Sequence, residues 1–311
     1  MWAFRKLLLI NRYFLVNRGL ISAGLLALAD NLIILRNIVD MSSISATTKA
    51  ALEELLETAL RPAPADWLGI RFRGQMIGHI QPDYIASIKS YIDSTETPAL
   101  ALFGEHLHLE NLAPYLLSQE LQDLAEFLKK QGLAPGWRDE SFSWLDDHGH
   151  ERFRMERAIF RSLGIHSRAC HINGYTAHQE MFLGMRSANK ATDPNMLDNL
   201  AAGGISADET LQQCVIRELW EEAGVPTEIA RLAEPVGHIH VRRVVEPKGL
   251  HDESLYTYDL LLPDDFSPKN NDGEVSGFMK VPYAQAADLI LEGALTPDAA
   301  AVAADFLLRK S

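Results

Sequence analysis

The chain has 311 residues, 47% of them hydrophobic and 23% charged, and a formal net charge of −13. That length gives room for two domains of ordinary size, and the acidic balance excludes a general grip on nucleic-acid phosphates. The two cysteines, Cys170 and Cys214, stand in no CxxC or zinc-type spacing, which excludes a disulfide framework and fits a reduced, cytoplasmic setting.

Residues 1–40 form a basic, apolar extension with five Lys/Arg against two acids. Its stretch GLISAGLLALA (19–29), bounded by Arg18 and Asp30, is too short for a stable membrane span. Three readings stay open: a mis-called start upstream of Met41, a membrane-associating segment, or a signal-peptide core. Residues 46–60 have helical spacing of Leu52, Leu55, Leu56 and Leu60, and RPAPADW (61–67) breaks that helix. LGIRFRGQMIGHI (68–80) reads as a hairpin around Gly74. Helices are expected over 82–92 and over 118–132, the second stopped by Gly132. Residues 135–151 read as a turn, a short strand and a polar loop, and 153–165 as a helix ending at Gly164. A boundary is expected there, giving an α+β domain over 41–165 and a second domain over 166–311.

From Ser167 the texture changes to strands, RACHINGYTAH and EMFLGMRS, followed by the loop NKATDPNMLD. AEPVGHIHVRRVVE and ESLYTYDLLLP are strand-like, with β-branched and aromatic residues alternating. The chain closes on two helices separated by Thr296-Pro297. Strands, one helix, more strands and then helices indicate a mixed sheet packed between helices.

That single helix lies in GGISADETLQQCVIRELWEEAGV (203–225). Helical spacing is expected over 210–223, capped by Asp208 or Ser206 and stopped by Gly224 and Pro226. At ~100° per residue, Glu218, Glu221 and Glu222 fall on the same side as Leu211, Cys214 and Val215. The carboxylates therefore continue an apolar stripe and point toward the domain body. Like charges at that spacing repel, and the helix C-terminus adds partial negative charge. A hard divalent cation such as Mg²⁺ or Mn²⁺, which prefers oxygen ligands, resolves the conflict. The bland alternative is a solvated Glu-rich helix end.

The full spacing (Gly203, Glu209, Arg217-Glu218-Leu219, Glu221-Glu222, Gly224-Val225) resembles the Nudix box at every defined position. The resemblance implies an α/β fold, specifically an α/β/α sandwich with a mixed sheet, here preceded by a small α+β domain. It implies Mg²⁺- or Mn²⁺-dependent hydrolysis of an organic diphosphate, a small-molecule substrate. By the same resemblance Glu218, Glu221 and Glu222 bind metal, Arg217 orients Glu218, and Glu209 and Gly224 support the loop–helix–loop. The Gly203 carbonyl is a further candidate ligand. The general base is Glu218 or a glutamate from a later loop, for which Glu274 in NNDGEVSGF is the candidate; its bland reading is a turn acid.

Segments 185–205, 255–266, 272–278 and 305–310 resemble the Nudix subgroup associated with thiamine pyrophosphokinase, which carries an N-terminal domain of the DUF4743 type. That implies a thiamine diphosphate-like substrate or a damaged analogue, cleaved to the monophosphate and phosphate. A diphosphate isomerase on the same scaffold and a non-catalytic Nudix sensor are the alternatives; the intact box speaks against both. Arg186 and Lys190 form a candidate diphosphate clamp, against a reading as solvated charge. His238 and His240 alternate on one strand face and are read chiefly as packed or surface residues, and DDHGHE (146–151) as a solvated loop. Cys214 is read as a small core residue, and Trp67, Trp137, Phe142 and Trp144 as core aromatics before stacking platforms.

Overall fold

The computed structural model describes residues 44–95, 99–190, 192–245 and 249–310; the 1–40 extension and the candidate start at Met41 lie outside them. The first half is built on a four-stranded sheet of β1 (Leu68–Phe72), β2 (Gln75–Ile80), β3 (Leu100–Phe103) and β4 (His106–Leu109), in the order β2-β1-β4-β3. β1 and β2 form the expected hairpin. Its turn residues Arg73 and Gly74 both have positive φ, 52° and 82°, as a tight two-residue hairpin demands. Two helices, Pro82–Ser94 and Pro114–Lys130, each carry proline in the first turn, where its missing N–H costs nothing. In chain order these are α2 and α3; α1 is the preceding helix, Ala46–Glu57. Ile88, Leu117, Leu121 and Leu124 pack with Ile70 and Phe72 into one core that extends to Ile165.

Residues 153–165 do not form one helix. β6 (Glu151–Glu156) pairs antiparallel with β5 (Ser141–Leu145), and only then does α4 (Arg157–Ser162) begin. Phe153 and Met155 alternate inward, a two-residue period that outweighs helix propensity. Glu156 makes the switch: its carboxylate accepts from Ala158 N at 3.2 Å and so caps α4.

The second half holds a mixed sheet in the order β11-β12-β7-β8-β13. Its strands are β7 (Ser167–Tyr175), β8 (Glu180–Arg186), β11 (Glu234–Val245), β12 (Gly249–Leu261) and β13 (Val275–Pro282), and only β7 and β12 run parallel. Short β9 (Leu197–Asp198) pairs with β8, and β10 (Ala201–Gly204) pairs with β7. On one face lies α5 (Leu211–Ala223), its Cys214, Val215 and Leu219 packed with Cys170, Ile172 and Phe182. Short α6 (Thr227–Ala230) follows it. On the other face α7 (Tyr283–Leu291) and α8 (Pro297–Lys310) cover Met181, Leu183 and Val281. This is the expected α/β/α sandwich. α1 joins this second layer, burying Leu52 completely; such burial contributes about 2 kcal/mol. Strand β13 carries the segment read from sequence as a loop. Glycine and acid at 272–274 mark the turn, but Val275 onward pairs with β8. No helix among the described residues is long and apolar enough to cross a membrane.

Candidate active site

Helix α5 is capped by Thr210, not by Asp208 or Ser206. Thr210 accepts from Gln213 N at 3.3 Å, and Gln213 accepts from Thr210 N at 2.9 Å, a reciprocal cap. Ser206 and Asp208 are engaged elsewhere: Ser206 donates to Glu140 at 2.7 Å, and Asp208 accepts from Arg154 at 2.8 Å. Gly224 ends the helix at φ 64°, where an added Cβ would stand 2.6 Å from the Lys269 carbonyl.

The helix delivers its last-turn carboxylates as the wheel implies. Glu218 and Glu222 are buried, while the Glu221 side chain stays 40% exposed. Arg217 binds Glu209 through two 2.8 Å bonds, one to each carboxylate oxygen. Its remaining nitrogen, Nη1, donates to Glu218 Oε1 at 2.6 Å and to Glu221 at 3.2 Å. One planar guanidinium thus ties the box loop to the helix. Gly203 lies against the Glu218 carboxylate so closely that any Cβ there would overlap it. Glu222 accepts from Ala202 N at 2.9 Å.

A line of alternating charge crosses the site. Lys190 stands 3.5 Å from Glu222 and pairs with Glu274; Glu274 also accepts from Arg138 at 3.3 Å. Lys190 therefore reaches the carboxylate cluster. Arg186 does not: its three nitrogens bond Asp198 at 2.6 Å and the Thr192 and Asp193 carbonyls at 2.8 and 3.2 Å, so it shapes the loop.

Electrostatics separate the acids. Burial pushes Glu218 up to about 7 against the pull of Arg217, and burial plus the neighbouring Glu218 pushes Glu222 up to about 8. Burial also raises Glu274, but Lys190 and Arg138 outweigh it and hold it below the usual carboxylate range. Two desolvated carboxylates with raised proton affinity and an oxygen-only donor set suit a hard divalent cation, and Glu222, Asp272 and Glu274 offer a further grouping of oxygens around the same point.

Gly203, Lys190 and Glu274, which touch or neighbour the carboxylate cluster, line a cleft whose other wall comes from the first half of the chain. Pro135, Gly136, Arg138, Arg157 and Arg161 face Gly203, Lys190, Glu274, His251 and Glu253 across it. Sequence reading missed this wall; the available signal was Arg157 and Arg161, one helical turn apart. The two halves also meet directly. Ala207 N donates to Ser141 O at 2.8 Å, and Gly204 packs so tightly on the Phe142 ring that a Cβ would overlap it.

Phe142 and Trp144 are buried in the core, Trp144 stacked on Phe153 at 5.7 Å; Trp67 is half-buried, and Trp137 donates to Asp139 at 2.7 Å. Cys214 is buried, and its thiol is raised by a side-chain hydrogen bond with Cys170 and by burial, which makes it no nucleophile. In 146–151, Asp146 accepts from the backbone of His148 and His150, both at 3.0 Å, and so closes a turn. His238 is exposed. His240 instead joins His166 on Asp252, at 2.6 and 2.9 Å, a second group that could hold a cation but is satisfied by its own hydrogen bonds.

A family model for the NUDIX domain matches residues 165–306. The chain is similar to Nudix hydrolase 24, chloroplastic, of Arabidopsis thaliana, 29% identical over 76% of this chain and 65% of that protein. It is also similar to Nudix hydrolase 20, chloroplastic, of the same plant, 34% identical over 62% of this chain and 52% of the relative. The chain spans less than two thirds of the length of either. Among solved structures, that of DR0079 from Deinococcus radiodurans matches with a TM-score of 0.43 at 19% identity, over 55% of this chain and 98% of that one.

Proposed function

We propose that the protein, whose residues 165–306 match the NUDIX domain and follow an N-terminal α/β region, hydrolyses an organic diphosphate with Mg²⁺ or Mn²⁺. The observation that carries this reading is the buried pair Glu218 and Glu222 beside Gly203, a position with no room for a side chain. Glu218, Glu221 and Glu222 would hold the cation, with the Gly203 carbonyl as a further ligand. A bound cation supplies Lewis-acid chemistry: it withdraws charge from the diphosphate and acidifies water.

The chain's own residues do the rest. Arg217 fixes the Glu218 carboxylate through its two-pronged hold on Glu209. Lys190 lies where an arriving phosphate competes with Glu274 for its charge. Once Lys190 turns to phosphate, burial dominates at Glu274 and raises its affinity for a proton. Glu274 then serves as the general base, taking the proton of the attacking water, while Lys190 and Arg138 offset charge on the departing phosphate. The substrate class proposed is thiamine diphosphate or a damaged analogue, cleaved to the monophosphate and phosphate, in a reducing compartment such as the cytoplasm. Both free thiols, Cys170 and Cys214, are consistent with that setting.

The experiment is phosphate and organic monophosphate release from thiamine diphosphate, its oxo analogue, an ADP-sugar, NADH, a dinucleoside polyphosphate and isopentenyl diphosphate, with Mg²⁺ or Mn²⁺. Cleavage of a thiamine-type diphosphate that Glu222→Gln abolishes supports the reading. A folded, metal-binding protein that cleaves none of them overturns it. Isopentenyl diphosphate converted without phosphate release selects an isomerase instead.

A further inference from the structure

The cleft extends well past the carboxylates, and its far end is built differently. There Arg161, from α4 of the N-terminal region, faces His251 and Glu253 of β12 and Asp298 of α8. Arg161 Nη2 donates to Glu253 Oε1 at 3.2 Å, and the guanidinium lies 5.5 Å over the Phe142 ring, which fixes its stem. Glu253 is buried and accepts from Ser167 at 2.7 Å. His251 Nε2 stands between two carboxylates, 3.1 Å from Glu253 Oε2 and 3.4 Å from Asp298 Oδ2, within ion-pair reach of both.

Two atoms in this corner have no hydrogen-bond partner among the described residues: Arg161 Nε and His251 Nε2, both buried. They come from opposite walls of the same cleft. Buried polar nitrogens are rarely left without a hydrogen bond, and two on residues that line one cleft point to a group that pairs them. The wall behind them is closed: Gly249, at φ 103°, packs so near Ser162 that an added Cβ would lie 2.7 Å from its carbonyl oxygen.

We propose that this far end is a recognition subsite for the organic head of the diphosphate, and that it selects heads carrying hydrogen-bond acceptors over apolar, isoprenoid ones. The inference rests on the diphosphate reading for what occupies the near end, beside Lys190 and Glu274. An acceptor on the head takes the Arg161 Nε–H, and His251 and Glu253 supply a donor or acceptor opposite it. An isoprenoid head leaves Arg161 Nε and His251 Nε2 without a hydrogen-bond partner, a penalty that discriminates more strongly than the fit of a methylene. Arg161 is thus a specificity-determining residue supplied to the Nudix site by the N-terminal region.

The test uses the full chain with Mg²⁺ and calorimetric binding, which does not depend on turnover. The probes are the non-hydrolysable methylene analogues of ADP, thiamine diphosphate and isopentenyl diphosphate, with methylenediphosphonate as the headless control. The wild type is expected to bind the better polar-headed probe about 100-fold tighter than the isoprenoid one. Arg161→Met should bring the two within about threefold while leaving methylenediphosphonate unchanged. Arg161→Lys keeps the charge but lacks the Nε donor, and should remain impaired. Equal binding of polar and isoprenoid probes to the wild type overturns the proposal. So does a loss in Arg161→Met that is the same for methylenediphosphonate, or full rescue by Arg161→Lys. If methylenediphosphonate itself fails to bind, the diphosphate reading falls, and this subsite with it.

Discussion

Glu222 concentrates the conflict between stability and activity in one side chain. Its carboxylate is buried next to Glu218, and both have raised proton affinity, to about 8 and about 7. An unfolded carboxyl ionises near 4.3, so between there and about 8 the folded state holds more protons than the unfolded one. Stability of the metal-free protein therefore falls as pH rises through that window. Every tenfold gain in proton affinity on folding corresponds to about 1.4 kcal/mol, which makes the effect large against total stability. Thermal unfolding in chelator should give a lower Tm at pH 8 than at pH 6. Added Mn²⁺ should raise Tm more at pH 8, where the ligands are more fully unprotonated than at pH 6. A chelated protein with a Tm flat across that range would sink this account. Glu222→Gln removes a costly charge: in chelator at pH 8 it should unfold later than the wild type, gain little from Mn²⁺ and lose activity by orders of magnitude. Arg217→Lys is expected to behave as a loss variant, because an ammonium cannot span both oxygens of Glu209 and still reach Glu218. Activity and metal affinity of Arg217→Lys, measured together, check this; wild-type values for both would refute it.

At the scale of the element, the box is a helix held at both ends. Thr210 and Gln213 cap its start and Gly224 its end. Thr210→Ala should cost about 1 kcal/mol in denaturant unfolding. It should reduce activity only modestly, because the carboxylates sit toward the far end of the helix; a loss as severe as that of Glu222→Gln would mean that the cap positions the site. Strand β6 shows the opposite case, where an expected helix is a strand. Arg157 to Ser162 do form a helix, but Phe153 and Met155 find buried places on a hairpin with β5, and burial of two large side chains outweighs local propensity.

At the scale of the whole molecule, the N-terminal region is part of the site. It presses Phe142 onto Gly204, hydrogen-bonds residues 206–208 and places Arg138 beside Glu274. Phe142→Ala should destabilise by about 3–5 kcal/mol, as large core truncations do. It should also weaken metal binding below the unfolding temperature, because the loop before α5 loses its backing. Calorimetric Mn²⁺ titration at low temperature checks this; unchanged affinity in a destabilised protein would confine Phe142 to packing.

By itself the amino-acid sequence determined a mixed sheet packed between helices, which the family resemblance made an α/β/α sandwich, and it determined the box helix and which of its faces turns inward, because that face rests on spacing within a short stretch. Glu218 and Glu222 were legible for that reason, and so was the pairing of Arg217 with Glu218, one residue apart. Glu209 entered through resemblance to a family pattern as a support of the loop, and its two 2.8 Å bonds from Arg217 emerged only in the structure. Only the tertiary structure decided what depends on chain segments far apart in sequence. It separated Lys190, which reaches the carboxylates, from Arg186, which closes its own loop. It turned Arg138, Arg157 and Arg161 from unremarked surface charge into a wall of the cleft. Periodicity reports which side of an element is buried; it carries no information about which other element covers that side. That is settled by the packing of two cores against each other, and here the packing set arginines of one against the carboxylates of the other.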